Sequence, residues 1–505
     1  MYLGIDLGTS ELKVVLLADD HRVVAGASEP IATSRPHPLW SEQDPASWWS
    51  ALDAALLRLR ESHPAALAAV RAIAPAGQMH GAVLLDPADA VLRPAILWND
   101  GRSARQCESL EAALPSLRAL AGNAAMPGFT APKLLWVREH EPSVFARTAR
   151  VLLPKDWLRL GLTGEHVSEM SDASGTLWLD VGRRAWSDAL LAACHLGRDQ
   201  MPRLVEGSEP SGALRPALAA RWGMRSGIVV AGGGGDNAAS AIGVGAVRPN
   251  QGFVSLGTSG VCLLVSERFT PNAAAAVHAF CHALPGRWHQ MSVMLSAASA
   301  LRWACGVLGE ASEAALLDRV ASLSAEQRAR APLFLPYLSG DRTPHNDADA
   351  QGVLFGLTHD HDAAAVGYAV LEGVAFSLLD GWLSLAADRR DVRALALIGG
   401  GARSDLWAQM LASLLGVVMQ RSEAANAGAI GAARLAWLAD GGSEAEVCSV
   451  APVRRDFVPD RAEAARLSPR HDRFRNLYAA LRSQFGASRA ATADAGSAAP
   501  RPMSP

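Results

Sequence analysis

Short apolar runs bounded by turn residues alternate along the chain with longer stretches rich in Ala, Leu and Arg. Three such runs open it, Tyr2 to Asp6, Lys13 to Ala18 and Val23 to Glu29, separated by Gly8 and by the pair Asp19-Asp20, which predicts an antiparallel start. Asp44 and Pro45 then offer an N-cap and a first-turn proline. Trp48, Leu52, Ala55, Leu56 and Leu59 recur on one face behind them, so an amphipathic helix is expected. Segments near Arg71 to Ala76, Ala82 to Leu85 and Pro94 to Trp98 read as extended, and helical stretches alternate with later strands. The fold class that follows is α/β.

An internal repeat refines this picture. Gly4 to Leu17 reads GIDLGTSELKVVLL and Phe253 to Ser266 reads FVSLGTSGVCLLVS, with LGTS identical at Leu7 to Ser10 and Leu256 to Ser259. Each copy sits between two apolar strand-like runs, so duplicated domains with equivalent hairpins are expected. Glycines and Pro249 interrupt the pattern near Val244 to Asn250, which divides the chain into domains 1–245 and 246–485. From about Gly486 the chain becomes Ala-, Ser- and Pro-rich, and 486–505 is expected to lack order.

Bulk properties narrow the function classes. A chain of 505 residues exceeds one core, and half of its residues are apolar. The net charge of -3 leaves no basic surplus for nucleic acid. The six cysteines are dispersed and form no CxxC, so they read as reduced thiols. The N-terminus enters a strand pattern without a signal-like core, and no apolar run is read as a membrane span. A cytoplasmic protein without nucleic-acid or membrane partners is the expectation.

Turns built from Gly, Thr and Ser can wrap a phosphate, because glycine allows close backbone approach while N–H groups and hydroxyls donate. Gly8, Thr9 and Ser10 form one such turn and Gly257, Thr258 and Ser259 the other, able together to hold phosphates from two sides. Lys13, leaving the first turn, adds a point charge or is an ordinary solvated lysine. Asp6 ends the first apolar strand, where a carboxylate is costly unless donors or a cation meet it; Mg²⁺ would do so, or Asp6 caps its own turn. The glycines Gly232 to Gly235 precede Asp236 and Asn237, removing side-chain bulk where a substrate must approach. An aspartate there can accept a hydroxyl proton in phosphoryl transfer, or merely cap a helix. A second glycine turn, Gly399 to Ala402, lies between the strand Ala394 to Ile398 and a helix capped by Ser404 and ended by Gly416. There is no GxxxxGK[ST] and no protein-kinase signature set. His278 and His282 show i, i+4 spacing but no HExxH, so they read as core or surface residues.

Taken together the motifs resemble the FGGY carbohydrate kinases, within the broader group of actin, hexokinase and heat-shock ATPases. The resemblance rests on GIDLGTS, SRPHPLWSEQDP, AGQMHG, ILWNDGR, MPGFTAPKLLW, GGGDNA, SLGTSGV, FLPYLSGDRTPHN and IGGGARS, which run from the first residues through most of the chain. It implies two ribonuclease-H-like α/β domains around a central cleft, and phosphorylation of a small sugar by ATP with Mg²⁺. D-Xylulose is the implied acceptor, with another ketose or polyol such as L-ribulose as the alternative. A nucleotide-switched, non-enzymatic protein of the same fold is the further alternative. Carried over by motif, Asp236 is the base, Met79, His80 and Asn237 meet the sugar, and Asp6 meets the magnesium. Gly8, Thr9, Ser10, Lys13, Gly257, Thr258 and Ser259 meet the phosphates; Gly400, Gly401 and Ala402 meet the adenosine. Trp98, Asn99 and Arg102 support the sugar side. Glu11 departs from the glycine that relatives often carry, which bears on the shape of the first turn, and the glycine run before Asp236 is one residue longer than usual. Oligomeric state is left open, a homodimer being one option.

Overall fold

The computed structural model describes residues 1–387, 389–422, 426–450 and 452–496. Its first sheet has seven strands. β1 (Tyr2–Leu7), β2 (Glu11–Leu17) and β3 (Val23–Pro30) form the expected antiparallel meander, and β1 also runs parallel to β4 (Ala72–Gly77). β5 (Pro210–Ala213) pairs antiparallel with β6 (Val229–Ala231), which runs parallel to β4, as does the short β7 (Gly234–Gly235). The second sheet, also of seven strands, repeats the plan. β8 (Gly252–Leu256), β9 (Gly260–Ser266), β10 (His278–Cys281) and β11 (Trp288–Met294) are antiparallel neighbours in the order β10-β11-β9-β8. β8 then runs parallel to β12 (Ala394–Ile398) and β12 to β13 (Val418–Ser422), and β14 (Val453–Phe457) closes the edge antiparallel. The ribonuclease-H-like order is thus present twice, and each LGTS turn joins the equivalent pair of strands, β1 to β2 and β8 to β9.

Parallel neighbours require crossovers, and the helices supply them. α1 (Pro45–Ser62) begins as its sequence predicts, with the Asp44 carboxylate accepting from the Ala46 N–H at 3.0 Å and Pro45 at the first helical position. Its face of Trp48, Leu52, Ala55, Leu56 and Leu59 shares a core with Leu3, Ile5 and Leu7 of β1. α2 (Thr130–His140) places Leu134 and Val137 in a core that also holds Phe280 and Val293 of the second sheet, and α3 (Pro154–Thr163) backs β4 and β6. α4 (Asp236–Val244) follows β7 directly.

In the second half, α5 (Ala363–Ser384) is long and apolar enough by length and composition to cross a membrane, contrary to the sequence expectation. It is nonetheless a core helix, 89% buried over that apolar window. Its two charged side chains are paired inside: Glu372 accepts from Arg470 at 2.7 and 2.6 Å, and Asp380 meets His471 at 2.9 Å. α6 (Asp405–Leu415) has the expected Ser404 cap and ends at Gly416 in the left-handed region. α7 (Ala427–Ala439) falls in the second half by sequence but packs on β1, β4 and α4 of the first. A single cut near residue 245 therefore separates the sheets but not the layers. α8 (Arg461–Gly496) supplies Arg470 and His471, and it continues into the stretch expected to lack order. Alanine and arginine there favour helix even without a core to cover; residues 497–505 lie outside the described ones.

Alternation along β1 explains how α7 fits. Leu3, Ile5 and Leu7 face α1, so Tyr2, Gly4 and Asp6 face α7. A Cβ on Gly4 would stand 1.9 Å from the Ala429 carbonyl oxygen, and one on Gly431 would stand 1.7 Å from that of Ala239 on α4. Backbones this close admit no methyl. Gly431→Ala should therefore push α4 and α7 apart and cost about 1–3 kcal/mol, as overpacking does, lowering the thermal midpoint. Gly306→Ala, in a helix with open space around it, serves as the control; equal midpoints for the two variants would contradict the close seam.

Candidate active site

Both strands of the first hairpin carry charge beside the turn. Asp6 of β1 lies opposite Lys13 of β2, and the Gly8 N–H donates to the Glu11 carbonyl at 3.0 Å, closing the turn. Glu11 opens β2 and is not among the residues with left-handed backbone, so the turn accommodates it without strain. Its carboxylate instead lies 2.8 Å from Lys13 Nζ, both groups being about a third exposed. The Thr9 hydroxyl is already engaged: it accepts from Trp98 Nε1 at 2.9 Å and donates to Gln78 at 3.1 Å. Gln78 and Trp48 both donate to Gln43 Oε1 at 2.9 Å, and Gln43 donates to the Thr9 carbonyl at 2.6 Å. Thr9 is thus a strut joining the turn to the segments that carry Gln43, Gln78 and Trp98.

Asp236 is the first residue of α4, with the glycine run behind it. Gly233 is left-handed (φ 79°), and a Cβ there would meet the Pro75 carbonyl oxygen at 1.8 Å, which only glycine tolerates. The Asp236 carboxylate accepts from the Asn237 N–H at 2.7 Å and from its side-chain amide at 2.9 Å. Burial pushes the Asp236 carboxyl up to about 6 against these bonds. Burial and then the Asp236 charge push Asp6 up to about 7, against the pull of Lys13. The repulsion is mutual, since neighbouring carboxylates oppose each other's ionisation. α7 seals this corner: a Cβ on Gly428 would stand 2.4 Å from an Asp6 carboxylate oxygen.

The loop after β4 carries Met79 and His80. Met79 is buried, and a Cβ on Gly235 would lie 2.9 Å from its sulfur, so the loop rests on the backbone that leads to Asp236. His80 has φ 71°, unusual for a non-glycine residue and a kind of strain that gathers at functional sites. Lys133 Nζ on α2 donates to its carbonyl at 2.8 Å, and the Thr130 hydroxyl does so at 3.1 Å. Burial pulls the imidazole down to about 3, so the ring is neutral. Nδ1 lies 2.7 Å from the Gly175 carbonyl and carries the proton there, leaving Nε2 as an acceptor. Phe129 flanks the ring edge-on, with centroids 4.6 Å apart.

From the second half, the turn Gly257–Ser259 is braced by Ala298 N–H to the Gly257 carbonyl at 2.9 Å and Ala297 N–H to the Thr258 carbonyl at 3.0 Å. The loop Gly399–Ala402 abuts it, since a Cβ on Gly399 would stand 2.9 Å from the Gly257 nitrogen. Gly257, Thr258, Ser259, Gly400, Gly401 and Ala402 therefore lie together past the C-terminal ends of β8 and β12, two central strands that run parallel. Arg102, expected on the sugar side, is a buried strut paired with Asp100 and Glu42 and lying 3.6 Å from the Trp40 ring centroid. His278 and His282 are buried in and beside β10, as core residues. Gln43, Gln78 and Lys133 escaped the reading of the sequence, although a lysine within the apolar helix of APKLLW was a signal. Among the described residues no three His, Cys, Asp or Glu side chains form a metal cluster. A single carboxylate such as that of Asp6 suits Mg²⁺, which completes its shell with water and phosphate oxygens.

The comparisons with known proteins concern the two domains as wholes. The model for the N-terminal domain of the FGGY family of carbohydrate kinases matches residues 1–243, and that for the C-terminal domain matches residues 252–439. The xylulose kinase of Escherichia coli K12 is 54% identical over 95% of this chain and 99% of its own. That of Klebsiella pneumoniae is 51% identical over 95% and 99%. The crystal structure of a xyloylose kinase from Brucella ovis superposes with a TM-score of 0.92 at 48% identity, covering 96% of this chain and 99% of that one. Two matched domains, a shared architecture and such identity along the chain leave one conclusion: it belongs to the FGGY family of carbohydrate kinases.

Proposed function

We propose that this chain transfers the γ-phosphoryl group of ATP to the terminal hydroxyl of D-xylulose, giving D-xylulose 5-phosphate and ADP. The observation that carries the substrate is the 54% identity to a xylulose kinase across 99% of that protein's length. Carbohydrate kinases of this family use ATP with Mg²⁺. A cytoplasmic location belongs to the same reading and fits six cysteines that are all free and buried.

In this reading Asp236 is the general base. Its carboxylate takes the proton of the terminal hydroxyl as that oxygen bonds to phosphorus, while the bond from phosphorus to the bridging oxygen breaks and ADP departs. A carboxyl near pKa 6 is ionised at neutral pH yet basic enough to receive a proton. Neutral His80 accepts a sugar hydroxyl through Nε2, and Met79 and Asn237 line the approach. Ser10 and the turn Gly257–Ser259 meet the phosphates, with Gly400, Gly401 and Ala402 beside the adenosine. Thr9 acts through its bonds to Trp98 and Gln78, tying phosphate position to sugar position. Mg²⁺ bound at Asp6 would neutralise charge on the transferring group. Lys13 supplies further positive charge once Glu11 releases it.

Four measurements test these assignments. ADP release should depend on sugar, with the highest kcat/KM for D-xylulose in a panel that includes L-ribulose, L-xylulose and polyols; fast hydrolysis without sugar would favour the nucleotide-switched reading. In the same assay Asp236→Ala should lose at least about a hundredfold in kcat, the ordinary scale of general-base catalysis, and greater residual turnover would remove Asp236 from that role. Because the base works ionised, kcat/KM should rise with pH through about 6 and level above it; a profile flat from acid to neutral pH would argue against Asp236. Glu11→Gln frees Lys13 and should lower KM for ATP by about 2- to 5-fold, the scale of a partly exposed ion pair, whereas an unchanged KM would show that Lys13 does not reach the phosphates.

A further inference from the structure

Behind the glycine run lies a group of polar side chains that none of these roles uses. Lys155, Asp156 and Arg159 of α3, with Glu169, Ser171 and Asp172 of the corner that follows it, are all 0% exposed. Lys155 Nζ lies 2.6 Å from Asp156, 3.2 Å from Asp172 and 3.5 Å from Glu169, and Arg159 lies 2.8 Å from Asp156. Buried ion clusters of this kind add little net stability, and well-packed apolar side chains often do as well. Their remaining hydrogen bonds show a more specific task. Arg159 donates to the Gly232 carbonyl at 2.6 Å. The Ser171 hydroxyl accepts from the Gly235 N–H at 3.0 Å while donating to Glu169 at 2.9 Å. Glu169 in turn accepts from the Ser171 and Asp172 N–H groups at 2.7 and 2.8 Å, which fixes the corner itself. Both ends of the run Gly232–Gly235 are therefore bonded to the cluster.

A run of glycines cannot set its own conformation through side-chain packing, and glycine has the widest backbone freedom of any residue. Beyond the pairing of β7 with β4 and the start of α4, anchors on this backbone help to hold Asp236 in place. We propose that the buried network is a positioning device for Asp236, in which Arg159 anchors Gly232 and the Glu169–Ser171 pair anchors Gly235. Ser171 is its weakest point in chemical terms, because one hydroxyl carries the bond to Gly235, next to Asp236. The inference rests on the reading of Asp236 as the base.

The test compares Ser171→Thr with Ser171→Val. These side chains have the same shape and differ in the hydroxyl, so any cost of added bulk is shared. Expected are retention of most kcat by the Thr variant and a loss of at least about tenfold by the Val variant, within the range known for misplaced catalytic groups. Both should show similar thermal midpoints and KM for ATP. The acid limb of the Val variant's pH profile should also move below that of the parent, as a loosened Asp236 becomes better solvated. Equal kcat for the two variants, or a Val loss that merely follows the fraction of folded protein, overturns the proposal. The parent protein, run alongside, keeps the two readings apart: absence of sugar-dependent turnover there counts against the kinase assignment, not against Ser171.

Discussion

The architecture depends on how closely α7 approaches β1 and α4. Two sheets built on the same plan need a shared surface if a site is to form between them, and here that surface is lined by alanine and glycine. Tyr2, Ala72, Ala74 and Ala76 of the first sheet meet Ala429, Ala432 and Ala433 of α7 and Ala238, Ala239 and Ile242 of α4. Small residues let the two helices cross backbone to backbone. Larger ones would lift α7 off β1, and Asp6 would lose the cover that Gly428 gives it. The raised proton affinity of that carboxyl is a consequence of the packing, since burial is its first cause.

That arrangement also has a cost in the free protein. Asp6 and Asp236 both bind protons more tightly when folded than an ordinary aspartate does, up to about 7 and about 6. Folded groups with raised affinity favour the native state at low pH, and this contribution disappears as pH rises through those values. At neutral pH Asp6 and Asp236 are therefore partly opposed carboxylates, with Lys13 drawing Asp6 back toward ionisation. A cation and a triphosphate relieve the opposition, and ligand binding and stability are coupled through the same groups.

Much of the fold was legible in the sequence, because its signals are local. The repeat LGTS located two equivalent hairpins, Asp44-Pro45 started α1, and Ser404 and Gly416 bounded α6 as read. The placement of α7 was not legible, since nothing in an Ala-rich helix states which sheet will receive it. α5 was missed as a long apolar helix because Glu372 and Asp380 interrupt it, and their partners Arg470 and His471 lie about a hundred residues on. At the site, residue types were readable but engagement was not. The turn that carries Thr9 was readable, but not that Trp98, 89 positions away, donates to its hydroxyl.

The same contrast explains why the site needs so much support from residues that touch no ligand. Glycine loops allow a backbone to come close to phosphates and substrate, but they surrender the side-chain contacts that would hold a loop in one shape. Each such loop here is therefore fixed from outside: Gly232 and Gly235 by Arg159 and Ser171, the Gly257 turn by the N–H groups of Ala297 and Ala298, and the His80 carbonyl by Lys133. The supporting groups are buried charges, helix-start amides and the accepting hydroxyl of Ser171, all directional where apolar packing is not. Close approach and fixed geometry make opposite demands on a loop, and the chain meets both by dividing them between the loop and the layer behind it.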